Sequence, residues 1–165
     1  NPLPTSGALL VSLSDPDKRE GISLVAQLHD MGFDVMATRG TARALRAMGI
    51  PVQEVPKIGE GRPHCADVIV QGKVDLVINT PSAAVEPAMD VSEVVPDTAS
   101  RRGVPLPWEG HRTSGYRIRT AALAHHVPYV TTLVGLRTVV AAIRYLHAEP
   151  LTVRPLGADG DSVDV

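Results

Sequence analysis

Two rhythms of apolar residues alternate along the chain. One is the short unbroken run. Ala8-Leu9-Leu10-Val11-Ser12 has strand length and no polar face, as expected of a strand covered on both sides. The other is the helical stripe. Within 17–31, Ile22, Val25, Leu28 and Met31 recur at helical spacing, and Gly32 follows where a helix-ending glycine belongs. The pattern then predicts a strand at 33–37, a short helix at 41–48 ended by Gly49 and Pro51, and a strand at 52–55. A helix at 64–71, stopped by Gly72, precedes a strand at 74–78. Farther on come a helix at 114–126, with Ile118, Ala121 and Ala122 inward, and a strand at 127–132. Pro128 stands near the start of that strand, where a missing N–H costs least. Leu136, Val139, Val140, Ile143 and Leu146 form a last helical stripe. This alternation predicts an α/β fold: an open parallel sheet with helices on both faces, joined by right-handed crossovers.

Two stretches break the alternation. Between Pro81 and Arg112 stand five prolines, mixed charges and the only tryptophan, Trp108, with no period to assign to helix or strand. Such a stretch inside a compact domain is either a surface elaboration, which costs little loop entropy, or a lid or docking arm. After the last helix, 151–156 has the makings of an edge strand, and 159–165 reads as a frayed end. The expected organisation is a linker at 1–6, one domain at 7–156 with an insert at about 82–112, and a tail at 157–165. The chain opens on Asn1 rather than methionine, as expected of a piece of a longer protein or of a trimmed start.

Composition narrows the function classes. The 165 residues are 44% hydrophobic and 21% charged, enough to build one full core and too little for two. The net charge of −2 disfavours a nucleic-acid partner but leaves room for a local basic pocket. The single cysteine, Cys65, excludes a disulfide within the chain and a four-cysteine zinc site, and fits a reducing cytoplasm. No apolar run approaches the roughly 20 residues of a membrane span, and no signal peptide opens the sequence. Histidines and carboxylates show no metal-ligand spacing, so no metal is expected. A cytoplasmic protein with neither a nucleic-acid nor a membrane partner is therefore expected.

Ligands of open parallel sheets bind beyond the carboxyl ends of the strands. The residues expected there are Ser12, Ser14, Asp15 and Lys18 after the first strand, and Thr38-Arg39-Gly40-Thr41 after the second. Lys57 and the Gly59–His64 stretch follow the third, Asn79 and Thr80 the fourth, and Thr131 and Thr132 the fifth. Hydroxyls, amides and cations gathered on one edge suit an oxyanion. Gly40 would let the backbone approach a ligand closely, and Thr41 would cap the next helix, whose free N–H groups and dipole favour phosphate. Lys18 and Lys57 would add charge from the flanking loops. Each residue alone has a plainer reading: Thr41 as an ordinary cap, Lys18 as a solvated helix residue, Lys57 as a loop charge. The site is read from their joint placement. His64 is expected to cap or pack the following helix, and His125 and His126 to meet a helix dipole at its C-terminus. Neither a nucleophile elbow nor a Walker loop is present. No carboxylate pair is poised for acid–base work; Asp15 and Glu60 come nearest, and both read as loop residues.

Several strings together carry a resemblance. They are Leu9-Leu10-Val11-Ser12 with Lys18, Ala37-Thr38-Arg39-Gly40-Thr41-Ala42, Lys57-Ile58-Gly59-Glu60-Gly61-Arg62-Pro63-His64, Ile78-Asn79-Thr80, Tyr116-Arg117-Ile118-Arg119 and Thr131-Thr132-Leu133. They resemble the methylglyoxal-synthase-like superfamily, and within it the C-terminal domain of carbamoyl-phosphate synthase large chains, over roughly 7–156 apart from the insert. The resemblance implies a three-layer fold with an open five-stranded parallel sheet of order 3-2-1-4-5. It implies an allosteric domain, not an enzyme in itself, that binds a nucleoside monophosphate: UMP as inhibitor and IMP as activator in bacterial members. The parent is a glutamine-hydrolysing ligase of pyrimidine and arginine biosynthesis. That parent uses ATP, Mg or Mn and K, and works with a glutaminase small chain; the domain itself would carry no cofactor. Its partners would be the synthetase domains of the same large chain.

Carried over residue by residue, the effector phosphate would meet Ser12, Lys18, Thr38, Arg39, Gly40, Thr41 and Lys57. The ribose and base would meet Ile58, Asn79 and Thr80, and ornithine would meet Tyr129 and Thr131. Four departures stand out. Arg39 replaces a histidine of some members, and Pro81 a frequent hydroxyl residue. Val130 replaces an acid of an ornithine-responsive member, and the insert after Ser82 is unusual. Methylglyoxal synthase, a lyase on dihydroxyacetone phosphate, shares the phosphate cradle but needs an aspartate in a Gly-Gly-Asp segment, where this chain has Gly61-Arg62-Pro63. The same strings also admit a purine-synthesis cyclohydrolase domain, and the fold pattern a purely structural oligomerisation domain.

Overall fold

Alternation along the central strands decides where the helices go. The structure, a computed structural model, describes residues 2–81 and 114–148. Five strands, β1 (Gly7–Ser12), β2 (Phe33–Ala37), β3 (Gln53–Glu54), β4 (Leu76–Asn79) and β5 (Tyr129–Val130), form one sheet of order β3-β2-β1-β4-β5. Every pairing is parallel. Leu9 and Val11 of β1, with Leu76 and Ile78 of β4, point to one face; Leu10 and Val77 point to the other. The first face is covered by α1 (Lys18–Asp30), α2 (Arg39–Ala47) and α5 (Leu133–Ala148), through residues such as Val25, Leu28, Leu45, Leu136 and Ile143. The second is covered by α3 (Cys65–Val70) and α4 (Ser114–Ala124), through Ile69, Ile118 and Ala122. β1 and β4 are thus apolar on both sides, and each fully buried Leu or Ile contributes about 1.5–3 kcal/mol of burial.

The expected order 3-2-1-4-5 and the three layers are what the structure shows. The differences lie at element ends. Chain 15–17 forms a 3-10 turn around Pro16, so α1 begins only at Lys18. α2 begins at Arg39, not at 41, because the chain turns at Thr38: its N–H still bonds Val11 O at 3.1 Å while its own C=O accepts the first helical bond, from Ala42, at 2.8 Å. β3 and β5 are shorter than the apolar runs suggested. Each has a single strand neighbour, and both β3 residues are exposed. β4 starts at Leu76; ahead of it, Asp75 Oδ2 accepts from Ala8 N at 2.8 Å. α4 stops at Ala124, and His126, at φ 55°, turns the chain into the left-handed region beyond it. The stripes on α1 and α5 face the core as expected, with Met31, Val139 and Leu146 only partly buried. Within the expected linker, Leu3 packs against the α1/α5 side of the core. The insert at 82–112, the strand expected at 151–156 and the tail lie outside the described residues.

Candidate functional site

A cavity of about 320 Å³ opens at the carboxyl edge of the sheet, where β1, β2 and β4 end. Ser12, Leu13, Ser14, Asp15 and Lys18 line it from the turn after β1, and Thr38, Arg39, Gly40 and Thr41 from the start of α2. Lys57 and Glu60 come from the loop before α3, Asn79, Thr80 and Pro81 from the end of β4, and Ser114, Gly115 and Arg119 from the first turns of α4. Among the described residues, four cationic side chains face two carboxylates, in a chain whose net charge is −2. The cavity therefore concentrates positive charge that the composition as a whole conceals.

Hydroxyls fix its walls. Leu13 N donates to Thr41 Oγ1 at 3.1 Å, and Ser14 N donates to Thr80 Oγ1 at 2.8 Å. The chain leaving β1 is pinned by these two buried threonines, Thr41 from the first turn of α2 and Thr80 from just after β4. Thr41 is accordingly not the helix cap expected of it. Thr38 occupies the N-cap position, Thr41 lies in the first turn, and its hydroxyl is taken by Leu13. Nor does the Thr38 hydroxyl cap α2; it lies 3.4 Å from Ser12 Oγ. The N–H groups of Arg39, Gly40 and Thr41, which precede the first helical bond, thus stand at the cavity with no side-chain cap.

Lys18 crosses to this helix start. A Cβ placed on Gly40 would lie 3.1 Å from Lys18 Nζ, so the missing side chain makes room for an ammonium. Lys18 Nζ also donates to Asp15 Oδ1. That hydrogen bond and the Lys18 charge, with a smaller contribution from Lys57, hold the Asp15 carboxyl below the usual carboxylate range. Glu60 is likewise engaged: its Oε2 accepts from Lys57 N at 3.2 Å, closing the loop that carries Lys57 to the cavity.

Other expected residues fall differently. Arg39 sits on the rim, but its Nε donates to Glu54 Oε1 at 3.3 Å, and its side chain is 74% exposed. Arg46 shares that carboxylate and, with Arg39, holds it below its ordinary range. Ile58 does not line the cavity; it is 3% exposed in the core beneath α3, because the loop after β3 turns it inward. Tyr129 and Thr131 lie in and just after β5, outside the cavity, with Tyr129 42% exposed. His64 caps α3, as expected: Nδ1 accepts from Asp67 N at 3.2 Å while Asp67 Oδ2 accepts from His64 N at 2.9 Å.

Ser114, Gly115 and Arg119 also line the cavity, although the sequence pattern assigns them no site role and marks Arg119 only within the Tyr116–Arg119 string. Arg119 Nη1 donates to Asn79 Oδ1 at 3.4 Å. A signal exists: every helix that follows a parallel strand starts at the same sheet edge, so the start of α4 has to face the site. Among the described residues, no group of three or more His, Cys, Asp or Glu is gathered to hold a metal, and no helix is long and apolar enough to cross a membrane.

This geometry can be set against known proteins. A family model described as the MGS-like domain matches residues 20–131, the greater part of the chain and most of the cavity lining. The chain belongs to the MGS-like domain family. This MGS-like domain is 51% identical over 144 residues to the carbamoyl phosphate synthase large chain of Thermotoga petrophila, covering 87% of its own length and 12% of that protein. It is 34% identical over 154 residues to the carbamoyl phosphate synthase large chain, C-terminal section, of Methanopyrus kandleri, covering 93% of its own length and 24% of that one. It thus spans a minor share of the curated relatives it matches. A crystal structure of ForH superposes with a TM-score of 0.57 at 23% identity, covering 88% of this chain and 83% of that one, a likeness of fold.

Proposed function

We propose that this domain is the ligand-sensing C-terminal part of a carbamoyl-phosphate synthase large chain, and that its cavity takes the phosphate of a nucleoside monophosphate effector. The observation that carries the reading is the convergence at Gly40: an uncapped helix start, with Lys18 Nζ lying where a side chain would be, and Lys57 across the same cavity. Free N–H groups, a helix dipole and two ammonium groups together suit a dianion. Acid–base chemistry has less support. Among the described residues two carboxylates line the cavity: Lys18 holds Asp15 below the usual carboxylate range, which makes it a weaker base, and one oxygen of Glu60 accepts from the Lys57 backbone. That weighs against a lyase acting on dihydroxyacetone phosphate.

The partners on this reading are the synthetase domains of the same large chain, and a glutaminase subunit through them. An effector acts by binding two states of the parent unequally, so the signal would pass through the packing of this domain on its neighbours. An ornithine contact through Tyr129 and Thr131 would belong to a separate surface at β5 and draws no support from the cavity. The test is kinetic. In the full-length large chain with its small subunit, carbamoyl phosphate formation should respond to UMP or IMP, and deletion of this domain should abolish the response. Unchanged control after deletion overturns the reading.

A further inference from the structure

The phosphate cradle occupies only one end of the cavity. Thr38, Ser12 and Asn79 form a row across the ends of three adjacent strands, since Ser12 is paired with Asn79 and Thr38 follows the Ala37–Val11 pair. Two strand spacings separate the ends of that row, roughly 10 Å. That is on the order of the distance from the phosphate to the far edge of the base in a nucleoside monophosphate. At the far end stand Asn79, buried to 2% exposure, and Arg119 on α4. Asn79 Oδ1 accepts from Arg119 Nη1, which turns the amide oxygen towards the guanidinium and leaves Nδ2 as a donor. The guanidinium is a donor only. This end of the cavity therefore offers hydrogen-bond donors. Gly115 preserves the arrangement: a Cβ there would lie 3.1 Å from Asn79 Oδ1 and 3.3 Å from Arg119 Nη1.

We infer that Arg119, held by Asn79, is a specificity-determining residue that selects effectors with a keto oxygen at the far edge of the base over those with an amino group there. The inference rests on the proposed nucleotide reading and deepens it. A keto oxygen facing the guanidinium accepts from it; an exocyclic amino group in the same place, as in cytosine or adenine, turns N–H against N–H, and its bare ring nitrogen is one position removed from that contact. A site built around donors rejects such a mismatch more strongly than a hydrophobic pocket rejects an extra methylene.

The experiment is calorimetric titration of the chain with UMP, CMP and inorganic phosphate, repeated on Arg119→Met and Gly115→Ala. UMP and CMP differ only at the base edge, by an oxo group beside a ring N–H against an amino group beside a bare ring nitrogen. The unsubstituted chain should bind UMP roughly 10-fold or more tightly than CMP. Arg119→Met should bring UMP down to the CMP level and leave inorganic phosphate unchanged. Gly115→Ala, which adds a methyl group beside the pair in a helix that tolerates alanine, should weaken UMP and spare phosphate. Equal affinity for UMP and CMP overturns the inference, as does an Arg119→Met chain that loses phosphate and UMP alike or loses neither. A chain that binds neither UMP nor phosphate fails at the cradle, which overturns the nucleotide reading and this inference with it.

Discussion

Lys18 and Lys57 reach the same cavity from opposite loops, and the proposed reading gives each a cost when removed. Alanine at either position deletes a charge-assisted hydrogen bond worth about 1.5–3 kcal/mol, a loss of roughly 10- to 150-fold in nucleotide affinity. Lys57→Arg should not restore full binding, because a planar guanidinium does not fill a point-charge site. Without ligand, both alanine variants should melt close to the parent chain, since both lysines are only half-buried and a pair such as Lys18 with the exposed Asp15 adds little to stability. Calorimetry and thermal unfolding of the same three variants check the pair of statements; affinities unchanged in both alanine variants would move the phosphate elsewhere. At this scale the sequence was legible where chemistry and chain position agree. Lys18, Gly40, Lys57, Asn79 and Thr80 all line the cavity. It was incomplete where the direction of a side chain depends on its neighbours. Ile58 turns into the core, and Arg39 and Thr41, although they line the cavity, also engage Glu54 and the chain after β1. Those outcomes follow from contacts with residues distant in sequence, which spacing does not reveal.

Elements were legible wherever one pattern ran long enough. The stripes of α1 and α5 and the apolar runs of β1 and β2 needed no tertiary information. The edge strands β3 and β5 shrank because a strand with one neighbour needs fewer paired residues than its apolar run suggests. The start of α4 was not foreseen as part of the site because the aperiodic stretch before it separates it from β4 in sequence, although the parallel topology places it at the same edge. α3 carries its own test. Its first residue, Cys65, is buried, Sγ donates to Pro56 O at 3.2 Å, and burial pushes the thiol up from 9.0 to about 12. The folded state thus favours the neutral thiol. Its contribution to stability is complete below about pH 9 and is lost as pH rises from about 9 towards about 12. Cys65→Ala should therefore show a flatter decline of stability over that alkaline range than the parent chain, measured by denaturant unfolding. An identical decline in both chains would mean that the thiol ionises alike in the folded and unfolded states. At neutral pH a thiol reagent should label Cys65 only at the rate at which α3 opens.

The whole molecule is a two-sided core whose polar groups gather at one edge. Among the described residues of a chain of net charge −2, four cations surround a cavity of about 320 Å³, and they come from loops and helix starts that the parallel topology brings together. The central claim is that this cavity binds a nucleoside monophosphate through its phosphate. Thermal unfolding of the chain with UMP, with the dissociation constant taken from calorimetry, tests it most directly. At 100 times that constant the ligand should stabilise the fold by about 2.7 kcal/mol, a rise in Tm of roughly 5–10 °C. No heat of binding and an unchanged Tm at millimolar UMP would contradict the account.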